Sequence, residues 1–476
     1  MNMMGKVLSD EEIREIRRQS VHILENVGVK VPVEKALALL EAGGAKIDWD
    51  RRVAMIPEAL IDKALASAPK EFVLGARNPE FDFPVPSDYS VMNLDGAGVN
   101  VLDHRTGKRR NATLQDVADA ARVFEEIEIG KVLWSPVVPY DVPSGASGIL
   151  NTATSFLNCS KHLQDEAKNI HEVPYIMEMV KAITGSLDEA IARKIYSATY
   201  CTVAPLCHDP EMLEATMELT KYRVPILVYP MPACGSTGPA SLSSNIALAN
   251  AEALSTFVIF QLAQPGTPLI YGAALGIIDR RSGVFLEGAV ETALQLTAMG
   301  QIGKNYGFPT IIAGCLSDSK ETGMQATMEK VLTTLPLVLN RVDVVQGIGL
   351  LESSMTLSLP QMFIDAEIGL LCNRMQAGVD VAPEKNYFED IKAVGQGGHY
   401  LKQKSTRAAF RSDEFYTPWL SERSTYETWL EMGSPDMFSK AHQKVEEILA
   451  AEMKNPLDPQ TEKIIREIME EAKAKL

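Results

Sequence analysis

Polar and aromatic side chains follow a series of short apolar segments between residues 90 and 378, and these side chains are the first candidates for chemistry. They are Asn93, Asp95, Tyr140, Gln164, Asp165, Glu166, Tyr229, Tyr271, Asp318, Lys320, Gln346 and Glu352. Aromatic faces and carboxylates can hold a cation that has no hydrogen to donate, such as a quaternary ammonium. The set contains no evident nucleophile, so it also suits chemistry whose reactive group arrives on another molecule.

Metal-dependent chemistry has little support in the sequence. The chain has seven histidines and no H-x-H motif. Its closest cluster of metal-binding types, Cys201 with Cys207 and His208, does not have a recognisable zinc spacing. We therefore predict no metal ligand and no catalytic side chain in this chain.

Lysine-dependent, phosphate-binding and corrinoid-binding chemistry can each be judged from a motif. Lys320, in the run SDSK, is the candidate for a Schiff-base lysine, although its position also fits a solvent-facing residue at the start of a helix. The glycine run 395–398 has neither the preceding strand nor the following helix that a phosphate-binding loop needs. No D-x-H-x-x-G run, the usual signature of a corrinoid-binding domain, is present.

The apolar segments alternate eight times with amphipathic stretches, which predicts an α/β fold of the closed (β/α)8 TIM-barrel type. The predicted strands are Val91–Leu94, Val132–Val138, His162–Gln164, Tyr196–Val203, Ile226–Tyr229, Leu269–Ala273, Thr310–Ala313 and Val344–Ile348. The predicted helices are Leu114–Glu125, Gly145–Leu157, Val173–Ile183, Pro210–Tyr222, Ala240–Leu262, Leu286–Tyr306, Thr322–Leu339 and Leu359–Met375. Active sites of such barrels lie at the C-terminal ends of the strands, so the polar residues should converge on one mouth.

The chain has 476 residues, which is more than the roughly 250 of a typical barrel. We predict a helical N-terminal extension at residues 1–88 packed on the barrel, the barrel itself at 89–380, and a C-terminal extension at 381–476. The glycine cluster of GQGGH, at 395–399, predicts that this last extension covers the barrel mouth before ending in helices. A turn at Thr106-Gly107 predicts a hairpin between the first strand and its helix.

Composition excludes several classes of partner. A formal net charge of −16 disfavours DNA and RNA, because phosphate binding needs a basic face. The N-terminus has no apolar signal segment, and no stretch of about 18 uninterrupted apolar residues occurs, so we expect a cytoplasmic protein that does not cross a membrane. The six cysteines have no disulfide-framework spacing and are expected to be reduced. The helical extensions predict a homo-oligomer.

Four motifs resemble the trimethylamine methyltransferase family. They are GAGVNVLDHRTGKRRNATLQDVADAARV (96–123), AGCLSDSK (313–320), GIGLLESSMT (347–356) and GQGGHYL (395–401). The resemblance implies a (β/α)8 barrel that takes a methyl group from a methylamine or quaternary amine. It also implies a cob(I)alamin-type corrinoid on a separate corrinoid protein, with no cofactor bound in this chain. The founding trimethylamine enzymes contain pyrrolysine, and this chain does not, so it resembles the non-pyrrolysine branch associated with quaternary amines such as glycine betaine.

Together, strand-end position and the motifs assign provisional roles to the candidate substrate-binding residues. The aromatics expected to face the cation are Tyr229, Tyr271, Phe363 and Tyr400. The groups expected to hold a substrate carboxylate or its waters are Asn93, Gln164, Gln346 and His399. The carboxyls expected to face the ammonium or to cap the following helices are Asp95, Asp318 and Glu352. A lysine-dependent lyase or isomerase and a non-catalytic quaternary-amine binder are the alternatives.

Overall fold

The computed structural model describes residues 5–96 and 98–476, and within them eight parallel strands close a barrel. In chain order the barrel strands are β1 (Val91–Asn93), β2 (Gly130–Trp134), β3 (His162–Glu166), β4 (Tyr196–Cys201), β5 (Ile226–Tyr229), β6 (Leu269–Ala273), β7 (Thr310–Ala313) and β8 (Val344–Gln346). Each strand pairs with its sequence neighbours, and β8 returns to pair with β1. The predicted (β/α)8 fold class is confirmed.

A helix follows each barrel strand and covers the outside of the barrel. These helices are α1 (Leu114–Glu125), α2 (Ser147–Asn158), α3 (Glu172–Thr184), α4 (Pro210–Thr220), α5 (Leu242–Ala263), α6 (Val290–Asn305), α7 (Met324–Leu339) and α8 (Leu359–Ala377). A short helix, Leu187–Arg193, lies between α3 and β4. The predicted elements are all present, with ends that differ by a few residues.

Among the strands, the largest boundary difference lies at β2, which ends at Trp134 and not at Val138. Pro136 has no N–H for a barrel ladder, and the chain beyond it pairs with the segment after β1 through a bridge between Gly98 and Val137. In contrast, β3 continues to Glu166, two residues beyond the predicted end. This extension carries one more inward-facing side chain to the mouth.

The predicted hairpin after β1 is present. Strands Asn100–Leu102 and Arg109–Asn111 are antiparallel, and the first of them also pairs with Thr356–Leu357 in the segment after β8. Thr356–Leu357 in turn pairs with Leu350–Leu351. The segments that follow β1 and β8 are therefore joined in a small sheet, which fixes their positions relative to each other.

Helix α5 is rich in apolar residues and buried on nearly all sides because both of its sides are covered. The barrel strands lie on one side, and the N-terminal helices Asp10–Asn26, Glu34–Gly43 and Glu58–Ser67 pack on the other. It is the one helix of the described chain long and apolar enough to cross a membrane, and 89% of its most apolar window is buried inside the protein. Short strands complete the N-terminal extension at Val29–Lys30, Lys46–Asp48, Val53–Met55, Phe72–Leu74 and Phe83–Val85.

The C-terminal extension packs on the outer helices of the barrel, contrary to the prediction that it covers the mouth. Its longer helices are Met437–Ala450, on α8 and α1, and Pro459–Lys475, on α2 and α3. The carboxylate of Glu367 on α8 holds the segment before them, because it accepts hydrogen bonds from Tyr416, Trp419 and Ser421. The shorter helices are Phe388–Val394, Lys404–Ala409 and Tyr426–Glu431.

Candidate active site

A buried network of amides joins four strand ends inside the barrel. Gln346 on β8 accepts hydrogen bonds at Oε1 from Nδ2 of Asn93 (3.0 Å) and from Nε2 of Gln164 (3.2 Å). Its own Nε2 donates to the hydroxyl of Tyr229 at 3.0 Å. All four side chains are buried. The structure thus brings together four of the residues predicted from strand-end position, on β1, β3, β5 and β8.

Three carboxyl groups lie around this network. Asp95 follows β1, Glu166 ends β3, and Glu287 lies between β6 and α6. Burial, with a smaller contribution from the nearby Glu166, raises the pKa of Asp95 to about 7. Burial also raises the pKa of Glu287 to about 8, with Asp95 adding to the effect, and it raises the pKa of Glu166. Because carboxylates repel each other in a poorly solvated region, these carboxyl groups favour the protonated form unless a cation is present.

An aromatic wall stands beside the carboxyls. The rings of Trp134 and Tyr229 meet edge to face, with centroids 6.1 Å apart. The backbone of Gly96 lies directly against the indole, since a Cβ at this position would stand 2.3 Å from Trp134 ring atoms. Trp134 therefore depends on a glycine at 96 for its position.

Glu287 is held by the segments that follow β7 and β8. Ser354 donates from its hydroxyl to Oε2 of Glu287 at 2.5 Å. The carboxylate of Asp318 accepts the backbone N–H groups of Glu287 (2.7 Å) and Gly288 (3.1 Å), and also the hydroxyl of Ser353 (2.8 Å). Asp318 is therefore a positioning residue whose oxygens are already engaged by the protein.

The turn that carries Ser353 and Ser354 has an uncommon backbone. Glu352, Ser353 and Ser354 have φ values of 58°, 50° and 63°, so three successive residues with side chains adopt left-handed conformations. Such conformations are costly and persist only where surrounding contacts enforce them. The carboxylate of Glu352 faces away from the acidic cluster, because it pairs with Arg109 (2.7 Å) and accepts from Thr356.

Tyr271 lies outside the barrel interior, which corrects its predicted role as a cation-facing aromatic. Side chains alternate along β6, and the inward position is taken by Gly272, whose Cα lies against Leu227 and Tyr229. The Tyr271 hydroxyl donates to Oδ1 of Asn250 on α5 at 2.8 Å. Its ring therefore stabilises the layer between the strands and the helices.

In the described part of the chain, the remaining predicted residues make no hydrogen bond or ring contact with the strand-end cluster. Phe363 is on α8, buried edge to face against Trp419 of the C-terminal extension with centroids 5.2 Å apart. His399 and Tyr400 are exposed in a loop of the same extension. Their predicted substrate contacts required a C-terminal extension folded over the mouth, and the extension packs elsewhere.

Sequence reasoning missed Trp134, Cys201 and Glu287 as site residues. The sequence pattern extends the predicted second strand past Trp134 to Val138 and begins the predicted sixth helix at Leu286, before Glu287, so neither residue stands at a predicted strand end. Cys201 is the last residue of β4, and its Sγ lies 3.7 Å from Oε1 of Glu166. Burial raises the pKa of this thiol well above its usual range, so the thiol is neutral and a poor nucleophile.

Lys320 does not have the surroundings of a Schiff-base lysine. It is exposed, and its Nζ donates to the backbone carbonyl of Asp318 at 2.6 Å. Lys330 is the buried lysine of this region, but it is paired with Asp365 at 2.8 Å. Neither amine is both desolvated and free of a partner, as an activated lysine needs to be.

The fold and the strand-end cluster define a (β/α)8-barrel enzyme with an acidic and aromatic site. Residues 2–476 match the family model described as Trimethylamine methyltransferase (MTTB). The chain belongs to this family and is a methyltransferase.

Curated relatives span nearly the whole chain. The glycine betaine methyltransferase of Desulfitobacterium hafniense (strain Y51) is 31% identical over 95% of this chain and 94% of its own length. The trimethylamine methyltransferase MttB of Methanosarcina thermophila is also 31% identical, with the same coverage of both chains. Among solved structures, the monomethylamine methyltransferase of Methanosarcina barkeri aligns with a TM-score of 0.49 and 11% identity, over 92% of this chain and 94% of that chain.

Proposed function

We propose that this methyltransferase removes a methyl group from a quaternary amine, glycine betaine first among the candidates, and passes it to the Co(I) corrinoid of a separate corrinoid protein. The observation that carries the proposal is the cluster of Asp95, Glu166 and Glu287 beside Trp134 and Tyr229. No lysine or arginine of the described residues forms an ion pair with any of these carboxyls. A buried acidic and aromatic site whose carboxyls have no ion-pair partner among these residues is complementary to a cationic ligand.

The amide network supports a substrate that also carries a carboxylate. Gln346 is hydrogen-bonded to both Tyr229 and Asp95. The amide groups of Asn93 and Gln164 each have two N–H donors, and the bonds described above engage one of each. Their second N–H groups can donate to a substrate carboxylate. A zwitterion such as glycine betaine would then place its ammonium against the carboxyls and its carboxylate against the amides.

The chemistry of the reaction explains why the site needs no catalytic nucleophile. The corrinoid of the partner protein supplies the nucleophile, and the electron pair of the breaking N–CH3 bond stays on nitrogen. The leaving group is a neutral tertiary amine, so no general acid has to act during bond breaking. The residues of this chain have to hold the ammonium in one orientation and exclude water, which are contributions of positioning and desolvation.

The raised pKa values of Asp95 and Glu287 fit the change of charge during such a reaction. Binding of a fixed cation favours their ionised forms, so protons leave the site when the substrate enters. Once the amine is neutral, the carboxyls regain their affinity for protons. This exchange weakens the hold on the product relative to the substrate.

The sequence relatives agree with a methylated amine as substrate, since they are named for glycine betaine and for trimethylamine. The pyrrolysine of the founding trimethylamine enzymes is missing here, which favours a quaternary amine over trimethylamine. No observation favours a lysine-dependent lyase or isomerase, because Lys320 is solvated and Lys330 is paired.

Isotope-labelled substrate tests the proposal. Glycine betaine with 13C-labelled N-methyl groups is incubated with the enzyme and cob(I)alamin, and the products are followed by NMR. We expect dimethylglycine to form in equal amount to methylated cobalamin. Absence of any dealkylated amine with glycine betaine, proline betaine and carnitine would contradict the proposal.

A further inference from the structure

A cluster of metal-binding side chains lies outside the strand-end site. His104 stands in the turn of the hairpin between Asn100–Leu102 and Arg109–Asn111. His442 and Glu446 are one helical turn apart on Met437–Ala450, so they share a face of that helix. The cluster therefore joins the hairpin after β1 to the C-terminal extension.

The three side chains are already close to each other. Nε2 of His104 lies 2.7 Å from Oε1 of Glu446, and the rings of His104 and His442 have centroids 5.4 Å apart. One potential ligand atom from each residue lies within 4.8 Å of the other two. Around a tetrahedral ion with bonds of 2.0–2.2 Å, ligand atoms are roughly 3.4 Å apart. Side-chain rotations would lengthen the 2.7 Å contact and shorten the longer separations to reach this spacing.

From this geometry we propose a binding site for a divalent transition metal of the Zn2+ type, formed by His104, His442 and Glu446. Two imidazoles and one carboxylate are a ligand set that zinc accepts, with water in the fourth position. Such an ion would clip the C-terminal extension to the hairpin. The proposal is independent of the substrate of the enzyme.

The surroundings prepare the carboxylate for this role. Glu446 is hydrogen-bonded to both Arg105 and His104. Nε of Arg105 donates to Oε1 of Glu446 at 2.9 Å, the same oxygen that His104 contacts. Nη2 of Arg105 lies 3.5 Å from Oε2 of Glu446. The guanidinium can remain on Oε2 while Oε1 binds the ion. The side chain of His104 is only 9% exposed, whereas that of Glu446 is 40% exposed, so an ion can reach the site from solvent.

The ion would also be coupled to the strand-end region through the hairpin. Arg109 on the second hairpin strand pairs with Glu352, which begins the left-handed turn that holds Glu287. A clip at His104 would limit the movement of this hairpin. We therefore expect metal binding to raise the thermal stability of the protein, because the ion binds the folded state alone.

The test uses the full-length protein without a polyhistidine tag, dialysed first against a chelator. Zn2+ affinity is measured by titration calorimetry, and Co2+ serves as a spectroscopic probe of tetrahedral coordination. We expect one ion per chain, and at least about a tenfold loss of affinity in His104→Ala and His442→Ala, since losing even an outer-shell partner costs about 10–100-fold. The matched control is His22→Ala, which removes a helical histidine whose i+4 neighbour is Asn26.

A Glu446→Gln variant guards against misfolding of the histidine variants, because it keeps the size of the side chain while removing its charge. Weakened binding in all three variants, with unchanged circular dichroism and unchanged binding in His22→Ala, would support the site. Wild-type affinity in His104→Ala and His442→Ala would overturn it. Failure of the wild-type protein to bind either ion at ~100 μM, well above the affinity range of structural zinc sites, would overturn it equally.

Discussion

Asp95 and Glu287 carry the buried carboxyl groups that would face the substrate ammonium. Their types and strand-end positions are partly visible in the sequence, since Asp95 follows a predicted strand. Their pKa values are not, because these depend on the burial and on the approach of one carboxyl to another across the mouth. Glu287 in particular owes its position to Ser354, which is 67 residues away in sequence.

The first prediction concerns pH. Asp95 and Glu287 have folded-state pKa values raised to about 7 and about 8, so both are largely neutral at pH 6 and largely ionised at pH 9. A fixed cation binds the ionised form, so affinity for glycine betaine should rise with pH over this window. Calorimetry in buffers of different ionisation enthalpy should show proton release on binding near pH 7. An affinity that is flat across the window would contradict this assignment.

The same shifts predict how stability changes with pH. A carboxyl with a raised folded-state pKa favours folding below its unfolded pKa, and this contribution is lost as pH rises through the folded value. When the pH is raised from 5 to 8.5, the melting temperature of Asp95→Asn should therefore fall by less than that of the wild type. The same variant should bind glycine betaine at least about tenfold more weakly. Asp188→Asn, at an exposed carboxyl, should behave as the wild type in both measurements.

The two tyrosines provide a matched pair. Tyr229→Phe removes the acceptor of the Gln346 amide inside the site and leaves a buried donor unpaired, which costs about 1–3 kcal/mol. Tyr271→Phe removes a hydrogen bond to Asn250 in the layer between strands and helices. We expect kcat/KM to fall about tenfold in the first variant and to remain unchanged in the second, while both lose thermal stability. Equal loss of activity in both variants would place Tyr271 in the site after all.

At the scale of elements, the segments after β1 and β8 determine the shape of the site. Gly96 is the clearest example, because its backbone lies against the indole of Trp134. Gly96→Ala should push the indole out of place and lower kcat/KM by at least about tenfold, since small displacements of positioning groups are costly. Gly323→Ala is the control, as a Cβ there meets open space. Wild-type kinetics in Gly96→Ala would show that Trp134 is dispensable.

Element boundaries also decide which site residues the sequence reveals. The alternation of strands and helices predicts the barrel, and the inward positions Asn93, Gln164, Tyr229 and Gln346 follow from the strand ends. The same alternation cannot tell which face of β6 carries Tyr271, because parallel barrel strands are apolar on both faces. Gly272 takes the inward position of β6, so Tyr271 faces the helices and not the barrel interior as predicted.

At the scale of the whole molecule, the C-terminal extension is the part that sequence reasoning placed incorrectly. A glycine cluster and nearby aromatics suggest a lid, but the hydrogen bonds to Glu367 on α8 direct the extension to the outer wall. Long-range partners of this kind have no local signature. The six cysteines, expected to be reduced, form no disulfide in the described chain.

The extension also carries the prediction of a homo-oligomer. Large apolar side chains of its short helices and loops are exposed, among them Phe388 (60%), Leu401 (75%) and Phe410 (60%). Exposed apolar groups in such density are typical of interaction surfaces. We expect analytical ultracentrifugation to find a dimer or larger species, and the double variant Phe388→Ser with Leu401→Ser to shift it towards monomer. A monomeric wild-type protein would contradict this expectation.

Methyl transfer from a quaternary amine to Co(I) can be followed through the absorbance of a reduced corrinoid protein. The enzyme is added to the Co(I) corrinoid protein with glycine betaine, proline betaine, carnitine or trimethylamine in separate reactions. We expect the Co(I) band to disappear with at least one quaternary amine, to persist with trimethylamine, and to be lost more slowly in Asp95→Asn. A Co(I) band that persists with every quaternary amine, or that disappears with trimethylamine alone, would contradict the proposed reaction.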